Sequence, residues 1–291
     1  MKIGVHGKEF NRQAVPFIRD IFTILKKNKV DLVISEKFSR LLTSAAFRPY
    51  TWKTFSHGDN LSGLTAFLSI GGDGTLLETV TYIGKAETPI LGINTGRLGF
   101  LATISQSETE HALLKIFSND FSIDKRAILK LESSRKIFGK LNFALNDFTI
   151  MKMGSSSMIT VHTFIDGAFL NSYWSDGIIV ATPTGSTGYS LSCGGPLVFP
   201  RSGNFVITPV SPHNLTVRPI VVADSSEITF KVESRIKKFL VTLDSRHAEI
   251  DETVKLKIVK ADFRANLIQL KGQHFFKTLR QKLNWGLDIR N

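Results

Sequence analysis

Apolar positions along the first 120 residues switch repeatedly between two spacings. Lys2–Gly7 is a run of strand length, and Phe17, Ile18, Ile21, Phe22 and Leu25 then recur at helical spacing. Asp31–Ser35 predicts a second strand, and Phe38, Leu41 and Leu42 a short helix, whereas residues 47–60 are mixed and turn-rich and read as a loop. Ala66–Ile70 predicts a third strand that stops at Gly71-Gly72-Asp73-Gly74. A helix over 75–83, a fourth strand over 89–93 and an amphipathic helix over 107–118 through Leu113, Leu114 and Phe117 complete this part. Strands alternating with helices argue for an α/β domain with a parallel sheet covered on both faces.

After about residue 122 the pattern shortens to β-rich runs separated by turns. Residues 158–165 and 168–174 flank Asp166-Gly167 and predict a hairpin with a two-residue turn. Further strands are expected at 176–182, 204–209, 217–222, 227–232, 239–243 and 253–260, a density that suggests a sandwich-like domain. Residues 276–283 return to helical spacing. The expected division is an α/β domain over 1–122, a β-rich domain over 123–268 and a C-terminal segment over 269–291.

Composition narrows the class. The 291 residues are 42% hydrophobic and 21% charged, which excludes a wholly disordered chain. No apolar run approaches the ~18 residues that span a bilayer, so no membrane partner is expected. The opening MKIGVHGKEF reaches charge and glycine too early for a signal-peptide core. Cys193 is the single cysteine, which fits a reducing compartment and a cytoplasmic location. The formal net charge of +12 is concentrated at the ends: residues 1–60 carry +6, residues 231–290 carry +7, and the middle −1. Such a balance suits polyanionic partners or a merely solvated surface. Without a run of five Lys or Arg, or basic residues interleaved with aromatics, no nucleic-acid partner is expected.

Four stretches carry candidate chemistry. Gly71-Gly72-Asp73-Gly74-Thr75 follows a strand and opens a helix, so its N–H groups suit a phosphate. A carboxylate repels phosphate, so Asp73 makes sense if it handles a proton or a metal ion beside one; the plainer alternative is a helix cap. The turn is neither a P-loop nor a complete dinucleotide fingerprint. No serine fits G-x-S-x-G, and the histidines lack zinc-ligand spacing. Residues 92–101 lie at the end of the next strand, where Arg97 would meet phosphate and Phe100 a base, unless Phe100 is core. Asn146-Asp147 suits a sugar, or is simply a turn. Residues 176–192 run from a buried strand into glycines and hydroxyls, a polar platform with hydroxyl and N–H groups expected to point outward, or a plain hydroxyl-rich loop.

GGDGT at 71–75, NTGRLGFL at 94–101, LND at 145–147 and DGIIVATPTGSTGYSLSCGGP at 176–196 occur in an order that resembles the NAD kinase family. SPHNLTVRP at 211–219 and Leu243-Asp244-Ser245-Arg246 are similar to it as well. The resemblance covers roughly residues 66 to 246, and the stretch at 176–196 is its specific part, because lipid kinases and phosphofructokinases carry similar glycine–aspartate turns. It implies phosphorylation of the adenosine ribose 2′-hydroxyl of NAD by ATP with a divalent metal ion, Mg2+ first, giving NADP. It also implies a C-terminal segment packed on the first domain, and a homodimer or homotetramer whose site a second subunit completes. Asp73 would match the catalytic carboxylate. Gly74, Phe100, Asn146, Asp147, Asp176, Thr184, Thr187, Gly188, Tyr189 and Ser192 would join Asp73 in lining the NAD site, and no side chain is assigned as a metal ligand. Gly71, Gly72, Gly74, Thr75 and Arg97 stand as the phosphate-binding set. Two positions depart from many members: Asp147 stands where Glu is common, shortening the arm by a methylene, and Gly188 where Ala is common. A lipid kinase, a non-catalytic dinucleotide sensor and a nucleic-acid binder are the competing readings.

Overall fold

A strand buried at every position has to be covered on both faces, and Ala66–Ile70, apolar except at Ser69, is buried along its whole length. In the computed structural model, which describes residues 1–154 and 157–285, the chain divides into two units. One comprises Met1–Lys125 and the chain from Ala265 onward; the other is Arg126–Arg264.

The first unit runs β1 (Lys2–Gly7), α1 (Val15–Lys27), β2 (Asp31–Ser35), α2 (Glu36–Ser39), β3 (Lys53–Phe55), β4 (Ala66–Ile70), α3 (Asp73–Ile83), β5 (Ile90–Ile93), α4 (Thr109–Phe117) and β6 (Ser122–Arg126). Its sheet is ordered β3-β2-β1-β4-β5, followed by the returning strand Ala265–Gln269 and then β6. The pairs from β3 to the returning strand are parallel. From β1 the chain steps outward through β2 and β3, then returns to place β4 against the other side of β1 and continues to β5. The strand order therefore reverses between β1 and β4, whose ends Gly7 and Ile70 are paired in register. Open parallel sheets bind ligands at such a reversal, beyond the carboxyl ends of the strands. Helix α1 opens with a proline in its first turn, where the missing N–H costs nothing, and buries Ile18, Ile21, Phe22 and Leu25. Residues 47–60, expected as a loop, contain the edge strand β3; only Phe55 of its three residues is buried, too little to show a period.

The second unit holds β7 (Leu129–Ser133), β8 (Phe143–Ala144), β9 (Asp147–Met151), β10 (Ile159–Ile165), β11 (Ala168–Ser175), β12 (Gly177–Ala181), α5 (Tyr189–Ser192), β13 (Asn204–Val210), β14 (Ile220–Ala223), β15 (Ile228–Glu233), β16 (Lys238–Leu243), β17 (Arg246–Asp251) and β18 (Leu256–Lys260). They form two six-stranded sheets among the described residues, β11-β10-β15-β18-β7-β8 and β14-β13-β12-β9-β16-β17. One core joins them: Leu131, Val161 and Ile258 from the first meet Phe148, Ile178 and Phe205 from the second. The other face of β12 buries Ile179 and Ala181 with Val198, which explains an unbroken apolar run in an antiparallel sheet. Asp166 and Gly167, with φ of +51° and +82°, make the two-residue turn between β10 and β11. The returning strand, β19 (Ala265–Gln269), and α6 (Phe275–Leu283) belong to the first unit. Residues 286–291 of the expected C-terminal segment lie outside the described residues. Among the described residues no helix is long and apolar enough to cross a membrane.

Candidate active site

Strand β4 delivers the glycine turn to the carboxyl edge of the first unit's sheet, and the Gly71 N–H donates to the Ile93 carbonyl at 2.9 Å, tying it to the end of β5. A Cβ at Gly71, whose φ is +151°, would overlap the Thr75 hydroxyl, so glycine is needed there. Gly72 precedes α3 without a side-chain cap, leaving the positive end of that helix to a ligand or water. Gly72 and Gly74 are exposed, and Thr75 is buried beneath the turn.

Asp73, the first residue of α3, does cap backbone N–H groups, but those of the neighbouring loop. Its Oδ2 accepts from Phe100 at 2.8 Å, and its Oδ1 from Leu101 at 3.0 Å and Ala102 at 2.9 Å. The two loops predicted to share a crevice are thus bolted together by this carboxylate. Gly99 makes the approach possible, because a Cβ there would overlap Asp73 Oδ1. Nothing local in the sequence distinguishes Gly99 from the other glycines of the loop. A carboxylate offers about four lone-pair sites, so one on Oδ2 is left for a ligand hydroxyl. Asn94, buried, shapes the same loop by accepting from the Gly96 N–H at 2.6 Å, while Arg97 is exposed and Phe100 half-buried.

Sequence reasoning did not single out the charges beside the turn. Lys8 Nζ donates to the Gly74 carbonyl at 3.1 Å and lies 3.1 Å from Glu78, which also holds Lys37 at 2.7 Å. The buried His6 imidazole beside Glu78 is the largest cause holding that carboxyl well below its ordinary range; Lys37 and Lys8 add to the effect and burial opposes it. These partners come from β1, the residue that follows it, α2 and α3, so no sequence window contains them together.

In the second unit, Leu145-Asn146-Asp147 and residues 182–188 are joined by short bonds. Thr182 donates through its hydroxyl to the Leu145 carbonyl at 2.5 Å and through its N–H to the Asn146 carbonyl at 2.8 Å. A Cβ at Gly185 would overlap the Asn146 backbone, so the contact requires glycine. Asp244 reaches across from the end of β16, accepting from the N–H groups of Leu145 at 3.0 Å, Asn146 at 2.8 Å and Asp147 at 3.3 Å. The buried Asn146 Oδ1 has no hydrogen-bond partner. Burial first, and the charge of Asp244 second, push the Asp147 carboxyl up to about 7. An unpartnered acceptor beside a carboxyl starved of donors is suited to ligand hydroxyls.

The hydroxyl platform differs from its expected form. Thr182, Thr184, Ser186 and Ser190 are buried, with their hydroxyls turned inward. Thr184 Oγ1 accepts from Arg126 at 3.2 Å, Ser186 Oγ donates to the Pro183 carbonyl at 2.7 Å, and Ser190 Oγ pairs with Thr208 at 2.8 Å. A tight turn leaves backbone groups without ladder partners, and these hydroxyls satisfy them and one another. The half-buried Thr187 and Gly188 and the exposed Tyr189 and Ser192 form the accessible part, and Asp176 is paired with Lys152 at 2.7 Å. A Cβ at Gly188 would lie 3.3 Å from the Gly185 carbonyl and 3.7 Å from Asn146 Nδ2. Gly188→Ala is therefore expected to be a mild change, costing about 1 kcal/mol of stability or less, as thermal unfolding checks.

In the first unit, a glycine turn at a strand-order reversal with a carboxylate fixed beside it has the form of a phosphoryl-transfer site; in the second, an under-satisfied Asn–Asp pair suits the hydroxyls of a ligand. Comparison with known proteins specifies the family. The model of the ATP-NAD kinase N-terminal domain matches residues 3–121, and that of the ATP-NAD kinase C-terminal domain matches residues 145–270. The NAD kinase of Cytophaga hutchinsonii is 50% identical over 292 residues, covering 100% of both chains. That of Flavobacterium psychrophilum is 44% identical over 294 residues, again covering 100% of both. Among solved structures, an NAD kinase from Archaeoglobus fulgidus in complex with ATP aligns with a TM-score of 0.74 at 26% identity, covering 98% of this chain and 99% of that one. Yeast NADH kinase complexed with NADH shares the fold, with a TM-score of 0.88 at 22% identity over 100% of this chain and 89% of that one. The chain belongs to the NAD kinase family and is a phosphotransferase with an alcohol group as acceptor.

Proposed function

We propose that the chain transfers the γ-phosphoryl group of ATP to the 2′-hydroxyl of the adenosine ribose of NAD, giving NADP and ADP. The observation that carries this reading is Asp73, held by three backbone N–H groups at the glycine turn with one lone pair left over. Asp73 orients the 2′-hydroxyl and takes its proton as the new O–P bond forms and the bond from the γ-phosphorus to the bridging oxygen of ADP breaks. Gly71, Gly72, Gly74 and Arg97 face the donor phosphates, and the buried Thr75 supports the turn from beneath. Asn146 and Asp147 hold the ribose, with Gly74, Phe100, Asp176, Thr187, Gly188, Tyr189 and Ser192 lining the dinucleotide and the buried Thr184 fastening the platform from within. Rate enhancement comes chiefly from positioning and charge stabilisation. NADP formation with ATP and NAD each varied tests the reading, and absence of ATP-dependent NADP would reject it.

A divalent metal ion, where one is used, would be held by the donor phosphates and would supply neutralisation of their charge. Among the described residues no group of three or more His, Cys, Asp or Glu is placed to hold a metal, and Asp73 is committed to backbone N–H groups, so no step is assigned to a protein-held ion. The single cysteine supports a cytoplasmic location. Self-association as a dimer or tetramer finds support in Phe169, Trp174 and Leu215, large apolar side chains exposed on the second unit.

A ribose held by ionised Asp147 gives NAD binding a pH dependence. The NAD affinity of the wild type should rise as pH increases through about 7, and that of Asp147→Asn should stay flat, as read by calorimetry from pH 5.5 to 8.5. The stability sign is opposite to that of an ordinary paired carboxylate. Between the usual value near 3.8 and the folded value near 7, the unfolded chain has released this proton and the folded chain keeps it, so stability falls as pH rises across that window.

A further inference from the structure

A cavity of about 670 Å³ opens in the first unit beyond the carboxyl ends of β1, β2 and β3, within the ~300–1,000 Å³ usual for small-ligand sites. None of the residues assigned above lines it, yet it adjoins the glycine turn through Lys8, whose ammonium touches the Gly74 carbonyl. Its wall has two chemistries. Lys8, Lys37 and Arg40 supply three cations against the carboxylates of Glu9 and Glu36. Glu78 fixes Lys8 and Lys37 at 3.1 and 2.7 Å, and each ammonium has three donors, so anchoring leaves N–H groups over. The other side is aromatic. His57 stacks on Tyr82 with ring centroids 3.8 Å apart and planes 19° from parallel, and Tyr82 rests edge-on against Phe55 at 5.4 Å. Thr81 spends its hydroxyl hydrogen on the Glu78 carbonyl at 2.7 Å, so at 2.9 Å it accepts from His57 Nε2 and fixes the imidazole plane.

We infer that this cavity seats the nucleoside end of the phosphate donor, with His57 as the platform for the base and Lys37 and Lys8 leading the phosphate chain toward the glycine turn. The inference rests on the kinase reading proposed above. It makes His57 a specificity-determining residue: it favours a nucleoside triphosphate over inorganic triphosphate, which has phosphates for the lysines but nothing to stack. Tyr82 acts through His57 as a positioning residue.

The test is calorimetric titration of the full chain with the non-hydrolysable ATP analogue in which NH bridges the β and γ phosphorus atoms, with inorganic triphosphate, and with NAD. His57→Ala and Lys37→Ala alter side chains at the protein surface. His57→Ala should weaken the nucleotide analogue roughly tenfold or more, the scale of a lost base–aromatic stack, and leave inorganic triphosphate within about twofold. Lys37→Ala should weaken both triphosphates, and neither variant should move the affinity for NAD by more than about twofold. Unchanged analogue affinity in both variants overturns the proposal, as does equal loss of both triphosphates in His57→Ala. A wild-type assay for NADP separates the two levels. Normal NADP formation with unmoved analogue affinities rejects the cavity alone. The expected binding pattern without NADP formation upholds the cavity and rejects the kinase reading.

Discussion

Asp73→Asn is expected to lower kcat at least about 100-fold, equivalent to about 2.7 kcal/mol of transition-state stabilisation, while NAD affinity stays within about threefold. The geometry says why an isosteric change should do so much. With its amide oxygen toward Leu101 and Ala102, the asparagine keeps two of the three loop bonds, and its NH2 faces the Phe100 N–H. That NH2 replaces the oxygen carrying the spare lone pair, so the acceptor for the 2′-hydroxyl disappears while the loop stays near its place. The unpaired Phe100 N–H should cost about 1–3 kcal/mol of stability, readable as a lowered melting temperature. Gly99→Ala approaches the same carboxylate from its other side. A Cβ there overlaps Asp73 Oδ1, so the acid is retained but displaced, and a comparable loss of kcat is expected. Rates of NADP formation, with calorimetry for NAD, check both variants; a near-normal kcat in Asp73→Asn would remove this residue from the chemistry.

The features legible in the sequence are those written in one window. The apolar runs of β1, β4 and β12, the period of α1 and the Asp166-Gly167 turn each signal themselves locally, as does the break from Ile70 into three glycines within four residues. Strand β17 was missed because Arg246–Asp251 is largely polar and mostly half-exposed or exposed, and no apolar alternation marks it. The partners of Asp73 were hidden for a different reason: they are backbone N–H groups, which carry no residue identity, and Gly99 betrays its role only when the loop closes on the acid. Hydroxyl direction was likewise invisible. Thr184 and Ser186 look like ligand groups by composition, but Arg126 and the Val198 N–H, which donates to Ser186 Oγ at 3.0 Å, turn them into fasteners. Asp244 lies almost a hundred positions from the segment it pins, and Glu78 about seventy from Lys8, so both charge clusters exist only after folding.

Gly185→Ala should produce the largest effect in the second unit: NAD affinity reduced at least about thirtyfold, or about 2 kcal/mol, together with a stability loss of about 1–3 kcal/mol. At Gly188 the nearest atom to an added methyl is a carbonyl oxygen 3.3 Å away, which moves by tenths of an ångström. At Gly185 the obstruction is the backbone of Asn146, and that backbone has little freedom to retreat. Thr182 holds both carbonyls of 145–146, and Asp244 holds the three N–H groups of 145–147. Displacing the segment breaks some of these bonds, and it carries Asn146 Oδ1 and the Asp147 carboxyl away with it. Thermal unfolding and calorimetry with NAD separate the two consequences, and the ATP-analogue affinity, which belongs to the first unit, should stay within about twofold. A variant that melts early yet binds NAD normally would show that the Asn146–Asp147 segment is scaffolding, and would take the ribose away from it.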